Sequence, residues 1–183
     1  MGLYILIGVI IVIAAFVLLV ATRPAEFQIE RSIAVAAPPE GAFAQVNDLH
    51  AWAAWSPFEK LDPNMKKTFS GPPSGAGASE AWAGNDRAGE CRMTIEKSEP
   101  PSLVDIKLEF FKPFVATNAA RFTFTPTPEG TRVTWSMDGR RNFMMKAFCL
   151  VLNMDKMLAG QFDEGLAALK KVAEGSPAPT AAG

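Results

Sequence analysis

The sequence predicts an α+β architecture: a curved antiparallel seven-stranded sheet wrapped around a long C-terminal helix, preceded by one N-terminal transmembrane helix. Three observations predict it. The chain opens with LYILIGVIIVIAAFVLLVA, Leu3 to Ala21, which no charge interrupts. Its middle is a series of period-two apolar alternations joined by short connections, the pattern of antiparallel strands. Its last long segment repeats apolar residues every three or four positions, the pattern of a helix with one buried stripe.

The opening run suits a bilayer. Nineteen residues at roughly 1.5 Å each give about 28 Å of helix, close to the hydrocarbon thickness. In water such a helix would expose apolar side chains on every side, whereas in lipid its backbone bonds close internally. A cleaved targeting segment would carry a basic start and a small residue at position −3. No Lys or Arg precedes this run, and Leu19 occupies −3 to a cut after Ala21. The expectation is an uncleaved anchor over residues 1–24, attaching the membrane through residues 3–21. That makes a single-pass protein of the cell inner membrane. Arg23 beside Glu26 and Glu30 leaves the side of the following domain open.

The first strand follows as FQIERSIAV, with Phe27, Ile29, Ile33 and Val35 on one face. Arg31 falls on that apolar face. Pro38-Pro39 ends the strand and PEGAFAQVND starts a short helix, with Pro39 in its first turn and Glu40 at its positive end. Leu49, Trp52 and Trp55 share one side of a second short helical or turn segment that Ser56-Pro57 stops.

Strands come next. MKKTFSG leads to the flexible connection PPSGAGA, then SEAWAG and the Asn85-Asp86 turn. CRMTIEKS, LVDIKLEFF, NAARFTFTP and TRVTWSMDG alternate in turn. No helix of crossover length separates them, which argues against a parallel sheet. The final helix is expected from about Phe143 to Ala173, with Val151, Asp155, Leu158, Phe162, Leu166 and Leu169 as its stripe. A single domain over 25–174 results, followed by a disordered tail over 175–183, small and proline-bearing. Where a bent sheet meets a helix, an internal apolar cavity is the default binding site.

Composition excludes several functions. A formal net charge of −1 offers no basic field for a phosphate backbone, so no nucleic-acid partner is expected. Cys91 and Cys149 give neither metal spacing nor a redox pair; they are two small hydrophobes, or one disulfide in an oxidising compartment. No metal and no cofactor are expected. Gly71, Gly75 and Gly77 precede no Lys-Ser/Thr pair and open no helix, so the expectation is a mobile loop at a cavity entrance rather than a phosphate site. His50, the single histidine, has only Asp48 near it and makes no triad. Glu80, Glu90, Glu96 and Glu109 suggest no paired-carboxylate mechanism, since alternation turns Glu96 to solvent.

The order of these segments resembles the START-like superfamily with the helix-grip fold, specifically its polyketide cyclase/dehydrase-like or SRPBCC branch. The resemblance covers about residues 27 to 173. It rests on FQIERSIAVAAPPEGAFAQVNDLHAWAAWSPFEKLDP, GAGASEAWAG, AGECRMTIEKSEP, TRVTWSMDG and NMDKMLAGQFDEGLAALKK. It implies a cavity for hydrophobic small molecules, including lipids, hormones and polyketides, more reliably than it implies catalytic residues.

The ligand-cavity candidates are Arg31, Trp52, Trp55, Met93, Ile106, Phe122, Phe124, Trp135, Val151, Asp155, Leu158 and Phe162. The two tryptophans either stack a flat ligand or plug the open end of the sheet. Arg31 and Asp155 are charges on apolar faces and need a partner or a route to solvent. The expected function is membrane-anchored binding or local transfer of a hydrophobic small molecule or lipid. The alternatives are a cyclase-, dehydratase- or hydrolase-like enzyme on an aromatic or polyketide-like substrate, and a structural membrane-associated interaction domain.

Overall fold

A computed structural model describes residues 1–175. The tail expected to be disordered lies outside the described residues, apart from Gly175, which ends the last helix. Helix α1, Gly2–Thr22, precedes strand β1, Glu26–Val35, and helix α2, Pro39–Asn47. Two 3-10 turns, Leu49–Ala54 and Pro57–Leu61, lead into β2, Lys66–Ser70, and β3, Ser79–Ala83. The meander continues through β4, Glu90–Glu99; β5, Leu103–Lys112; β6, Ala116–Thr127; and β7, Gly130–Arg140. Helices α3, Phe143–Leu152, and α4, Met154–Gly175, close the described chain.

All seven strands form one antiparallel sheet in the order β1-β7-β6-β5-β4-β3-β2. The expectation of a curved sheet wrapped around the helix is corrected here. The sheet does not curl: β1 and β2 remain its two separate edges. Bending devices are sparse, for register shifts interrupt only the β4–β5 ladder, between Glu90 and Cys91 and between Ile95 and Lys97. Helix α4 lies chiefly along the β1 end, beside α2 and the two 3-10 turns, so it covers part of the apolar face and leaves the β3–β5 part to other elements.

The single long terminal helix is also corrected. Asn153 adopts the left-handed conformation, φ 48°, and divides the segment into α3 and α4. Asparagine tolerates that conformation because its short polar side chain adapts locally. The break rotates Val151 off the buried stripe, and it is 68% exposed. Below the break the stripe holds: Phe162, Leu166 and Leu169 are buried.

Gly165 sets how closely α4 approaches. A Cβ there would stand 2.9 Å from both Pro57 Cδ and Trp135 Cζ3. The core on this side is aromatic. Trp135 stacks on Phe162 and on Phe122, and Trp52 and Trp55 meet Phe122 and Trp135 edge-on. Such tilted contacts suit the ring quadrupoles and add to the burial of large apolar surfaces.

Helix α1 is long and apolar enough to cross a bilayer, a property it shares with a cleaved targeting segment, and Val20 is its one buried residue. It touches α3.

Candidate functional site

A cavity of about 350 Å³ lies between the sheet and the α3–α4 junction. That volume falls within the ~300–1,000 Å³ usual for small-molecule sites. Its floor is a row of side chains on one face of neighbouring strands. The register pairs Glu80 of β3 with Met93 of β4, Met93 with Leu108 of β5, and Leu108 with Asn118 of β6. All four line the cavity. Strand alternation explains why: residues two apart on each strand share a face, so Trp82, Phe110, Ala116 and Ala120 join the same surface. Phe58, Met145, Phe148, Met154, Met157 and Leu158 supply much of the opposite wall from the 3-10 turn, α3 and α4.

The predicted residues divide. Trp52, Met93, Trp135, Asp155, Leu158 and Phe162 line the cavity. Trp55, Ile106, Phe122 and Phe124 are buried in the core beneath or beside it and do not line it. Val151 faces outward on α3. Arg31 lies away from the cavity; its side chain is 43% exposed and its Nε stands 3.4 Å from Asp163 Oδ1 of α4. The arginine sits on the apolar face, but β1 is an edge strand, so its guanidinium reaches the helix rim and water.

Trp52 and Trp55 are anchored as structure. Trp52 Nε1 donates to the Val46 carbonyl at 2.9 Å, and Trp55 Nε1 donates to the Gln45 carbonyl at 3.1 Å. These bonds tie the first 3-10 turn to the end of α2. One face of Trp52 still reaches the cavity.

Asp155 finds the partner its place in an apolar stripe demanded. Arg141 donates to both carboxylate oxygens, and its guanidinium also sits 4.2 Å from the Phe27 ring centroid. The backbone N–H of Arg141 donates to Ala25 O at 2.7 Å. One residue therefore joins the start of β1, the end of β7 and the beginning of α4 at the cavity's edge.

One cavity group is absent from the residues the sequence singled out for the cavity. Glu80 is 1% exposed, and its Oε1 accepts from Lys67 Nζ at 2.9 Å. Lys67 also donates to Glu59, so one ammonium serves two carboxylates. Burial pushes the Glu80 carboxyl above its ordinary range, partly offset by Lys67. Burial lowers the Lys67 value, but the bonds and charges of Glu59 and Glu80 outweigh it and the net shift is upward. Glu80 and Trp82 share one face of SEAWAG, and that alternation is the signal that would have placed Glu80 as a charge on an apolar side.

Three buried side-chain atoms have no hydrogen-bond partner among the described residues: Glu80 Oε2, Asn118 Oδ1 and Trp135 Nε1. All three residues line this cavity. Buried polar atoms are ordinarily paired, so their concentration in one place marks the site rather than the core.

His50 belongs elsewhere. It stacks on Phe69, its Nδ1 stands 3.1 Å from Asp48 Oδ1, and it lines a second depression of about 300 Å³ beside Gly71, Pro72 and Pro73. The glycine-rich connection expected at a cavity entrance lines this second depression through Gly71 and is tied down, with Gly75 N–H donating to Asn47 O and Gly77 N–H to Ile95 O. Cys91 and Cys149 are free thiols, the first buried and the second at the cavity wall.

Comparison with known proteins agrees on the architecture. The family model for polyketide cyclase / dehydrase and lipid transport matches residues 26–174. No curated protein matches the chain. Among solved structures, protein MLL2253 from Mesorhizobium loti is 16% identical, with a TM-score of 0.60 over 82% of this chain and 99% of that one. Ara h 8.0201 is 12% identical, with a TM-score of 0.56 over 82% and 99%. The di-domain ARO/CYC BexL from the BE-7585A biosynthetic pathway is 17% identical, with a TM-score of 0.62, over 88% of this chain and 54% of BexL. At these identities the likeness shows the fold alone.

Proposed function

Given that the chain belongs to the polyketide cyclase / dehydrase and lipid transport family, we propose that it binds a hydrophobic small molecule or lipid in the cavity between the sheet and the α3–α4 junction. We further propose that α1 holds the domain at a bilayer, from which an apolar ligand is taken or to which it is returned. The observation that carries the reading is the cavity itself: about 350 Å³, walled mainly by methionine, leucine and aromatic side chains. Methionines suit such a role because their flexible thioethers conform to varied apolar shapes.

A reaction on the bound molecule would require a titratable group within hydrogen-bond reach of it. Glu59, Glu80 and Asp155 are the acids the cavity offers, and each already serves an ion pair. Binding is therefore the reading we adopt over catalysis.

The test uses the cavity's own tryptophans. Trp52, Trp82 and Trp135 line it. Brominated alkyl ligands added to the full chain in nanodiscs should quench their fluorescence saturably. An unbrominated competitor should restore it. Quenching that rises without saturation, or that only matches free tryptophan in the same nanodiscs, would remove the binding role.

A further inference from the structure

We infer that Glu80 receives a hydroxyl group of the bound molecule, so that the cavity selects apolar alcohols over apolar acids; the inference rests on the binding role proposed above. Glu80 sits at the β3 end of the floor, 1% exposed, with Oε2 unpartnered. Its other oxygen is bonded to Lys67, which is held in turn by Glu59. The ion-pair geometry with Lys67 presents Glu80 as a carboxylate, and a carboxylate only accepts hydrogen bonds. What meets Oε2 must donate.

The charge of the wall narrows the chemistry further. The cations that line the cavity, Arg87, Lys112, Arg140 and Arg141, come from the β3–β4 turn and the ends of β5 and β7. Around Lys67 the two carboxylates leave a local net negative charge. A ligand carboxylate brought here would meet like charge in a medium where charge interactions are poorly screened. The other two orphan atoms lie on other strands of the wall. Asn118 Oδ1 adds an acceptor and Trp135 Nε1 adds a donor. At the Glu80 end a hydroxyl can donate to the free oxygen, whereas a carboxylate has no proton to give. Glu80 and Asn118 stand three strand spacings apart along the floor, about 14 Å, with Met93 and Leu108 between them. The apolar body of the ligand lies over that greasy interval, with its hydroxyl at the Glu80 end.

The experiment compares ω-bromododecanol, ω-bromododecanoic acid and bromododecane by tryptophan quenching on the full chain in nanodiscs. Each is measured with wild type, Glu80→Gln and Glu59→Gln. Glu80→Gln keeps the shape and replaces the free acceptor with an N–H donor. It should weaken the alcohol about tenfold or more, the loss expected for a bond to a charged acceptor. Bromododecane should change less than about twofold, which also reports that the cavity is intact, and the acid should not weaken. Glu59→Gln leaves the Glu80 oxygen free and should keep the alcohol's advantage. An alcohol affinity untouched by Glu80→Gln, or an equal loss of all three ligands in that variant, overturns the assignment while the cavity remains a binding site. Failure of all three ligands to bind wild type removes both the assignment and the binding role.

Discussion

The indole of Trp135 lies flat on the ring of Phe162, with centroids 4.0 Å apart and planes within 6° of parallel. One residue comes from β7 and the other from α4, so this stack is where the helix is fastened to the sheet, and its outer edge is cavity wall. Phe162→Ala should destabilise the domain by about 3–5 kcal/mol, the usual cost of deleting a buried aromatic. Urea unfolding followed by circular dichroism measures it. A cost below about 1 kcal/mol would mean that α4 is held mainly by its other contacts.

Gly165 opposes two physical effects. Alanine would favour the helix by about 1 kcal/mol over glycine. Its Cβ, however, would press on Pro57 and on the indole of Trp135, neither of which is a flexible tip. Overpacking typically costs about 1–3 kcal/mol, so Gly165→Ala should lower stability on balance. A rise in the unfolding midpoint would show that α4 can withdraw without penalty.

The Glu80–Lys67–Glu59 group makes stability depend on pH. The folded-state value of the Glu80 carboxyl is raised above the ordinary 4.5, so the folded state holds its proton longer than the unfolded chain does. Stability from this group therefore falls as pH rises from 4.5 through the raised value. Lys67 is also raised, above 10.5, and its contribution is present below 10.5 and lost as pH climbs through the higher folded value. In the acidic window, the stability of wild type relative to Glu80→Gln should decline with rising pH. Chemical unfolding of both proteins across that window checks the sign, and an increase would contradict the burial of Glu80.

Arg141 ties Asp155, the Phe27 ring and the Ala25 carbonyl together at the rim. Only its side chain changes in Arg141→Gln, which should cost about 1–2 kcal/mol from one cation–π contact and one half-exposed ion pair. Limited proteolysis should then cut faster near Asn153, where α3 and α4 part. Unchanged cleavage would show the junction to be fixed without the arginine.

The two thiols should separate in reactivity. Burial, the largest cause, pushes Cys91 up to about 12, leaving it inert in the folded protein at neutral pH. Cys149 is also raised, mainly by burial, but it is half-buried at the cavity wall. Alkylation of the native chain should modify Cys149 alone, and a bound apolar ligand should slow it. Labelling of Cys91 at a comparable rate would refute its burial.

Local pattern in this chain determined the strands, the order of their turns and the faces they bury. Val104, Ile106, Phe122, Phe124 and Val133 are buried because period-two alternation is a property of each strand by itself. The same holds for the uncharged run of α1 and the lower half of the terminal stripe. Only the tertiary structure decided that the sheet stays open, that Asn153 breaks the last helix, and that Glu80, Asn118 and Trp135 share one cavity. Those outcomes depend on register across four strands, on where two edges fail to meet, and on how near Gly165 lets a helix come. They are distances between parts of the chain far apart in sequence, which spacing along a single segment does not encode.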